Sequence, residues 1–263
     1  MKSLIVGAGY VGLATAFLLK NYPKVIYDTS LEVIQDLDEG THSLLNEHNV
    51  DLNDFETIES LTDLTGIDIV FICVPTPIDN LGNLNTCLVS SVIEQIRTMN
   101  KHIPILVRST VPIGFTRNHN DNNLHFFPEF LVEKNPFNLN IDRFVISENT
   151  PSKLVEIIQQ HAKVIITDSA TAEAIKLYSN SYLATRLAFF YEMLDFSNDF
   201  KLNFDDLKDG VCSDKRIGNL YSEKPYLING KCLPKDLSQL SKQTNSKVLQ
   251  GVYKVNKLQE IEE

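Results

Sequence analysis

The stretch "LIVGAGYVGLATAFLLKNYPKVIYD", residues 4–28, determines the fold class of this 263-residue chain. Its first residues form a short apolar run that predicts a strand, and the glycines that follow predict a turn. Helical spacing follows the turn, and "KVIYD" predicts a second strand. A strand, a glycine turn, a helix and a strand in this order indicate the first βαβ unit of a dinucleotide-binding fold.

The three glycines of this turn have separate roles in such a unit. Gly7 permits the tight turn, Gly9 lets a pyrophosphate approach the backbone, and Gly12 lets helix and strand pack closely. Asp28 ends the second strand, where a carboxylate accepts hydrogen bonds from a ribose diol and repels a 2'-phosphate. The pattern therefore predicts NAD rather than NADP. The alternative is a Rossmann-like turn without a ligand, in which Asp28 is a solvated strand end.

The alternation of strands and helices continues well beyond this unit. Further strands are predicted at 68–75, 103–110, 143–147 and 163–167, and helices at 30–39, at 86–99 and after residue 153. Such alternation predicts a parallel sheet with helices on both faces.

The pattern changes at residue 168. From there to residue 200 one apolar-periodic run contains neither proline nor glycine, and Asp168, Ser169 and Thr171 are candidate caps. Shorter helices are predicted at 203–212, 234–243 and 246–261. We therefore predict an α/β fold in which a Rossmann-type parallel-sheet domain, residues 1–167, precedes an all-helical domain with a long central helix, residues 168–263.

Composition narrows the classes of partner. The chain is 43% hydrophobic and carries a formal charge of −10, which argues against nucleic acid or an anionic membrane as a partner. No stretch has the length of a membrane span, and the N-terminal apolar segment is interrupted by glycine. The four cysteines show neither a CxxC pair nor metal-like spacing with the six histidines. We expect a cytoplasmic protein without a metal site.

Two groups of residues suggest chemistry. Lys176 and Asn180 stand four apart in the long predicted helix, with Glu173 one turn earlier, so the three share a face that could hold an oxyanion or a water. A solvated helix stripe is the alternative interpretation. Cys232 precedes a predicted helix, where exposed amides lower a thiol pKa, and Asp236 one turn later could orient water. A buried structural cysteine is the alternative there.

Several separated stretches together resemble the UDP-glucose/GDP-mannose dehydrogenase family. They are "GAGYVGLA" (7–14), "FICVPTP" (71–77), "RSTVPIGFT" (108–116), "FPEFLVE" (127–133), "AEAIKLYSNSYLATRLAFF" (172–190), "SDKRIG" (213–218) and "GKCLPKD" (230–236). The resemblance implies an oxidoreductase that converts UDP-glucose to UDP-glucuronate in a four-electron oxidation, through a cysteine thiohemiacetal and thioester, with two NAD⁺ reduced per sugar. The alternatives are the same chemistry on GDP-mannose or UDP-N-acetylmannosamine, or a non-catalytic NAD-binding or assembly module.

The resemblance also implies roles for individual residues. Cys232 matches the nucleophile, Lys176 and Asn180 the pair that steadies the oxyanion and the water, and Asp236 and Thr110 the residues that assist proton transfer. The carboxylates Glu129 and Glu133 match positions near the substrate, where Glu133 is expected to be catalytic and Glu129 to bind substrate. Gly230 matches a position where the backbone approaches the sugar. The implied cofactor residues are Gly7, Gly9, Tyr10, Val11, Gly12, Asp28, Val74, Pro75, Thr76 and Thr110.

The chain also departs from the family pattern. Leu227, Ile228 and Asn229 stand where relatives have a glycine-rich approach to the cysteine, which would reshape the sugar pocket. Relatives continue into a third, UDP-binding domain that is absent from this sequence. We expect one of three explanations: the chain was shortened for expression, the enzyme is split and a separate chain supplies the third domain, or the chain is a smaller natural form of the family. The resemblance further implies a homodimer through the 169–200 helix, and a uronic acid product suited to polysaccharide biosynthesis.

Overall fold

The computed structural model describes residues 1–132, 134–222 and 232–259. The chain divides into two compact units. Met1–Pro77 and Asn85–Lys176 form the first, and Ile78–Leu84 and Leu177–Glu263 form the second.

A six-stranded parallel sheet organises the first unit. Its strands are β1 (Ser3–Val6), β2 (Lys24–Tyr27), β3 (Phe55–Ile58), β4 (Ile69–Ile72), β5 (Ile105–Val107) and β6 (Leu124–Phe126). Their order in the sheet is β3-β2-β1-β4-β5-β6, and every neighbouring pair is parallel. The predicted parallel-sheet fold is confirmed. The order reverses between β1 and β4, and ligands of such sheets bind beyond the carboxyl ends of the strands at this reversal.

Alternate side chains of the central strands divide the core between the two faces of the sheet. Leu4 and Val6 of β1 belong to one buried cluster, whereas Ile5 between them belongs to the other. Both faces are thus buried, which explains why the central strands are nearly continuous apolar runs. The helices of this unit are α1 (Tyr10–Leu18), α2 (Leu31–Glu39), α3 (Ser43–Glu47), α4 (Cys87–Met99), α5 (Phe115–Asn118) and α6 (Ser152–Ile158).

Residues 142–167 contain the predicted strands but do not extend the main sheet. β7 (Arg143–Ser147) and β8 (Lys163–Thr167) pair with each other in a separate two-stranded parallel sheet. The link from β6 to β7 runs through a side chain, because the amide of Phe126 donates to Oγ of Ser147 at 2.8 Å. The Ser147 hydroxyl thus accepts the Phe126 amide, which in a continuous strand ladder would donate to a backbone carbonyl.

One 31-residue helix, α7 (Ser169–Asp199), runs from the end of the first unit into the second. Asp168 caps its N-terminus, since Oδ1 accepts the amide of Thr171 at 3.0 Å. The predicted long helix is confirmed. The second unit continues with α8 (Phe204–Cys212), α9 (Leu233–Thr244) and α10 (Lys247–Gln259). No helix among the described residues is both long enough and apolar enough to cross a bilayer.

The segment Ile78–Leu84 packs on α9 within the second unit. Oγ of Ser238 donates to the carbonyl of Gly82 at 2.7 Å, and the amide of Leu84 donates to Oε1 of Gln239 at 2.8 Å. Gly82 has a φ of +77°, and a Cβ there would lie 2.7 Å from the Ser238 oxygen. Glycine is therefore needed at this position for both conformation and contact.

Candidate active site

The glycine turn between β1 and α1 contains two glycines that the fold itself requires and one that it does not. Gly7 has a φ of +98°, and a Cβ on it would lie 2.7 Å from the carbonyl oxygen of Cys73. A Cβ on Gly12 would lie 1.8 Å from the carbonyl oxygen of Gly7. Gly9 has an ordinary φ of −77° and no heavy atom within 4 Å of its Cβ position. The open space at Gly9 is where a ligand can approach the backbone.

Asp28 fastens this turn to the end of β2. Its Oδ2 accepts the amide of Ala8 at 2.8 Å, and its Oδ1 accepts the amide of Ser30 at 2.9 Å. Each carboxylate oxygen keeps acceptor capacity for a ribose hydroxyl. Tyr10 and Val11 begin α1, whose first turn carries no acidic side chain, so its amides remain available to an anionic group.

The loops that follow β4 and β5 are joined by hydrogen bonds. Oγ of Ser109 donates to the carbonyl of Val74 at 2.6 Å, and the amide of Arg108 donates to the carbonyl of Ile72 at 2.9 Å. Thr76 and Thr110 are buried, and Pro75 between Val74 and Thr76 is exposed. The predicted cofactor residues of β4 and β5 thus lie on loops held at the carboxyl edge of the sheet.

Lys176 and Glu129 form a buried ion pair in the first unit. Nζ of Lys176 donates to Oε1 and to the carbonyl oxygen of Glu129, at 2.7 Å in each case. Burial opposes ionisation of Glu129, but Lys176, the amide of Leu131 and Arg108 together hold its pKa below the usual value. The structure therefore presents a buried lysine with its charge countered by an ionised glutamate.

Glu173, one turn before Lys176, has a different environment. Its carboxylate accepts the amide of Gly114 at 2.5 Å and both the amide and the hydroxyl of Thr116, at 2.8 and 2.6 Å. Burial raises its pKa despite these bonds. Glu173, Lys176 and Asn180 are all buried, so the alternative interpretation of a solvated helix stripe is wrong.

A second buried cluster lies in the second unit. Asp236, in the first turn of α9, is fully buried, and its Oδ2 accepts Nδ2 of Asn180 at 2.6 Å. Its Oδ1 accepts Nζ of Lys235 at 2.8 Å. The carboxylate is thus oriented on one side by an amide and on the other by a cation.

Cys232 is the N-cap residue of α9 and is exposed. Pro234 stands in the first helical turn, and the amide of Asp236 donates to the carbonyl of Cys232 at 3.1 Å. The alternative of a buried structural cysteine is therefore wrong. Cys73 shows the contrast, because burial raises the pKa of that thiol to about 11.

Two predicted site residues, Glu133 and Gly230, lie outside the described residues, as does the approach to Cys232 over 226–231. Among the rest, the structure brings Lys176 together with Glu129, and Asn180 together with Asp236. Sequence reasoning assigned no role to Arg108 or Ser109. The available signal was a polar triplet, residues 108–110, directly after a buried strand.

Comparison with known proteins identifies the family of the chain. The model of the NAD binding domain of the UDP-glucose/GDP-mannose dehydrogenase family matches residues 1–166, and the model of the central domain of that family matches residues 170–261. The predicted family and the predicted cofactor, NAD, are confirmed.

Individual relatives match along nearly the same length. UDP-glucose 6-dehydrogenase of Campylobacter jejuni is 33% identical over 269 residues, which cover 91% of this chain and 67% of that protein. The structures of a UDP-glucose dehydrogenase from Pyrobaculum islandicum and a UDP-D-ManNAc dehydrogenase from Pyrococcus horikoshii superpose with TM-scores of 0.84 and 0.85. They are 23% and 21% identical, and each match covers 98% of this chain and 68% of the other, so they establish the fold alone.

Proposed function

The chain belongs to the UDP-glucose/GDP-mannose dehydrogenase family, and from this premise we propose that it oxidises UDP-glucose to UDP-glucuronate through a covalent intermediate on Cys232. The observation that carries the proposal is an exposed thiol at the N-terminus of α9, one turn before a buried carboxylate that Asn180 and Lys235 orient. A nucleophile needs access to substrate and a nearby polar group to manage protons.

The residues of the glycine turn suit NAD. Gly9 offers open backbone, α1 offers amides without an acidic neighbour, and Asp28 offers carboxylate oxygens for the ribose. When bound, NAD⁺ accepts the hydride in each of the two oxidations. We assign the cofactor to residues 1–167 and the thiol to residues 168–263.

Cys232 divides the four-electron oxidation into two steps. Its thiolate adds to the aldehyde carbon and forms a thiohemiacetal, whose oxidation gives a thioester. Water then attacks the thioester carbon, the C–S bond breaks, and the products are the carboxylate and the regenerated thiol. Because the aldehyde is held covalently, it does not escape between the oxidations.

The buried polar groups have two proposed roles: some orient the attacking water, and others stabilise the charge on the reacting carbon's oxygen. We assign Asn180 and Asp236 to orienting and deprotonating the attacking water, since their side chains are already in hydrogen-bond contact. Lys176, held by Glu129 at 2.7 Å, supplies a positive charge for the oxyanion of the reacting carbon, and Thr110 assists proton transfer. Glu133 and Gly230, by family resemblance, belong to the sugar side of the site.

The Cys232→Ala variant tests this assignment against a matched control. Cys87 is also exposed and also stands at the start of a helix, so Cys87→Ala removes a comparable thiol. We expect no uronic acid from Cys232→Ala and an unchanged yield from Cys87→Ala. An unchanged yield from Cys232→Ala would contradict the assignment.

The choice of UDP-glucose rests on the relatives. The Campylobacter jejuni relative is a UDP-glucose 6-dehydrogenase at 33% identity, whereas the family name also covers GDP-mannose. Initial rates with UDP-glucose, GDP-mannose and UDP-N-acetylmannosamine at equal concentrations test the choice. We expect the largest kcat/KM for UDP-glucose, and a larger value for either other sugar would change the substrate but keep the chemistry. NAD⁺ binding without turnover on all three would instead support a non-catalytic module.

We further propose that α7 pairs with its copy in a homodimer. Four aromatic side chains on it, Tyr178, Tyr182, Phe189 and Phe196, are about half exposed or more. At about 100° per residue, these positions lie within about 40° of one another, so they form one stripe about 27 Å long. An exposed apolar stripe of this length is typical of a protein–protein interface.

Light scattering of the Phe189→Glu variant tests this pairing. We expect the mass of a dimer for the wild type and the mass of a monomer for the variant. Leu31→Glu is the control, because Leu31 is 61% exposed on α2, outside the aromatic stripe. A wild-type monomer would contradict the proposal.

A further inference from the structure

Arg108 is a buried cation with unfilled hydrogen-bonding capacity. It follows β5, is only 4% exposed, and its Nε and Nη1 have no hydrogen-bond partner among the described residues. A guanidinium stays protonated in proteins, and buried donors without acceptors are costly. The fold therefore retains Arg108 against an energetic penalty, which points to a partner outside the described residues.

The surroundings of Arg108 indicate what that partner is. The guanidinium lies 4.2 Å from the ring centre of Phe127, and it lines a cavity of about 20 Å³ together with Glu129, Phe130, Asn138 and Phe144. A volume of this size holds one water molecule. A water there would meet donors from Arg108 and an acceptor from Glu129, which is the two-partner minimum for a buried water.

We propose that Arg108 is a positioning residue for the Lys176–Glu129 ion pair and that it acts through one water bound in this cavity. Glu129 already accepts Lys176 on Oε1 and the amide of Leu131 on Oε2, and each oxygen keeps one further lone pair. A second positive charge near Glu129 favours its ionised form, which keeps the Lys176 amine in a fixed position.

The charges that surround Glu129 support this role. Lys176 approaches from α7 and Arg108 from the loop after β5, and both lower the pKa of the Glu129 carboxyl against the opposing effect of burial. Cys73, after β4, is neutral because burial raises its pKa to about 11. Arg143 of β7 stacks on the ring of Phe130, 4.6 Å from its centre. Of the two cations that lower the pKa of Glu129, only Lys176 remains when Arg108 is removed.

The catalytic consequence rests on the proposed function, whereas the linkage of Arg108 to Glu129 does not. The first test is accordingly a double-mutant cycle in urea, with Arg108→Met, Glu129→Gln and the double variant. We expect the effect of Arg108→Met on the unfolding equilibrium constant to be about tenfold smaller in the Glu129→Gln background. The same cycle with Glu173→Gln, which removes another buried glutamate of the first unit, should be additive. Additivity in both cycles would overturn the proposal.

The second test is the pH profile of kcat/KM. Because Arg108 lowers the pKa of Glu129, its removal raises that pKa, and the acid limb of Arg108→Met should move to higher pH by about half a unit to one unit. Arg108→Lys retains the charge and should keep the wild-type limb. If Arg108→Met lowers kcat/KM equally at every pH and the acid limb of the profile does not move, Arg108 contributes only to packing. If the wild type shows no turnover, the proposed function fails, and the urea cycle still decides the linkage.

Discussion

The carboxamide nitrogen of Asn180 lies 2.6 Å from Oδ2 of Asp236, although the two residues are 56 positions apart in the chain. Asp236 is fully buried, and Lys235 meets its other oxygen at 2.8 Å. A buried carboxylate with both oxygens engaged has a fixed orientation, which a proton-transfer group requires. The thiol of Cys232 is presented one helical turn away by the same helix.

Asp236→Asn should therefore remove proton transfer while it preserves shape. We expect kcat to fall by about 10²- to 10³-fold, because general-base assistance is lost. The melting temperature should fall as well, because the amide nitrogen of asparagine would face one of the two donors, Asn180 or Lys235, that the carboxylate accepts. The matched control is Asp209→Asn, at an exposed carboxylate of the second unit, which should retain activity. Equal activity of the two variants would contradict the role of Asp236.

The glycine turn yields a prediction that separates folding from binding. Gly9→Ala meets no protein atom and has an allowed φ, so we expect wild-type stability but NAD⁺ binding weakened by about tenfold or more. Gly12→Ala places a Cβ 1.8 Å from the Gly7 oxygen, so it should lower the free energy of unfolding by about 3 kcal/mol. Urea unfolding and calorimetry with NAD⁺ measure the two effects. Wild-type NAD⁺ affinity in Gly9→Ala would exclude the pyrophosphate from this turn.

Glu129 and Glu173, both buried in the first unit, should influence stability with opposite dependence on pH. The pKa of Glu129 is lowered from the usual 4.5, so its contribution is present above that value and lost as pH falls through the folded pKa. The pKa of Glu173 is raised from 4.5, so its contribution is present below that value and lost as pH rises through the folded pKa.

Urea unfolding on both sides of pH 4.5 checks these signs. The stability difference between wild type and Glu129→Gln should grow as pH rises, whereas the difference between wild type and Glu173→Gln should shrink. If the two stability differences changed with pH in the same direction, the environment of either Glu129 or Glu173 would be wrongly described.

The contact of Ile78–Leu84 with α9 can be measured with two glycines of nearly identical conformation. Gly82 and Gly66 have φ values of +77° and +76°, but only Gly82 has neighbours within 4 Å of its Cβ position. Gly66→Ala should cost about 1 kcal/mol from conformation alone. Gly82→Ala should cost about 1–3 kcal/mol more, because its Cβ meets Ser238. Equal losses in urea unfolding would show that the segment does not depend on this contact.

Local patterns in the sequence were sufficient for most of the fold. The strand, glycine turn and helix at residues 3–18 and the uninterrupted α7 were predicted because their periodicity extends over a whole element. The short elements β3, β6, α3 and α5 were missed, since three to five residues carry too little periodicity. The separate sheet of β7 and β8 was also missed, because strand pairing depends on distant residues such as Ser147.

The candidate site was predictable where spacing along one helix fixes geometry. The four-residue step from Lys176 to Asn180 indicated a shared face, but burial decided between a site and a solvated stripe. Burial of that face and the contact between Asn180 and Asp236 are tertiary properties that no local pattern contains. Arg108 was passed over for the same reason, because its buried, unfilled donors become visible only when the cavity is formed.

The most direct measurement is the endpoint of NADH absorbance with limiting UDP-glucose and excess NAD⁺. A thiol-dependent double oxidation predicts two NADH per sugar, and Cys232→Ala should yield no uronic acid under the same conditions. An endpoint of one NADH per sugar in the wild type would contradict the covalent mechanism, and no NADH from a chain that binds NAD⁺ would contradict the oxidation of UDP-glucose itself.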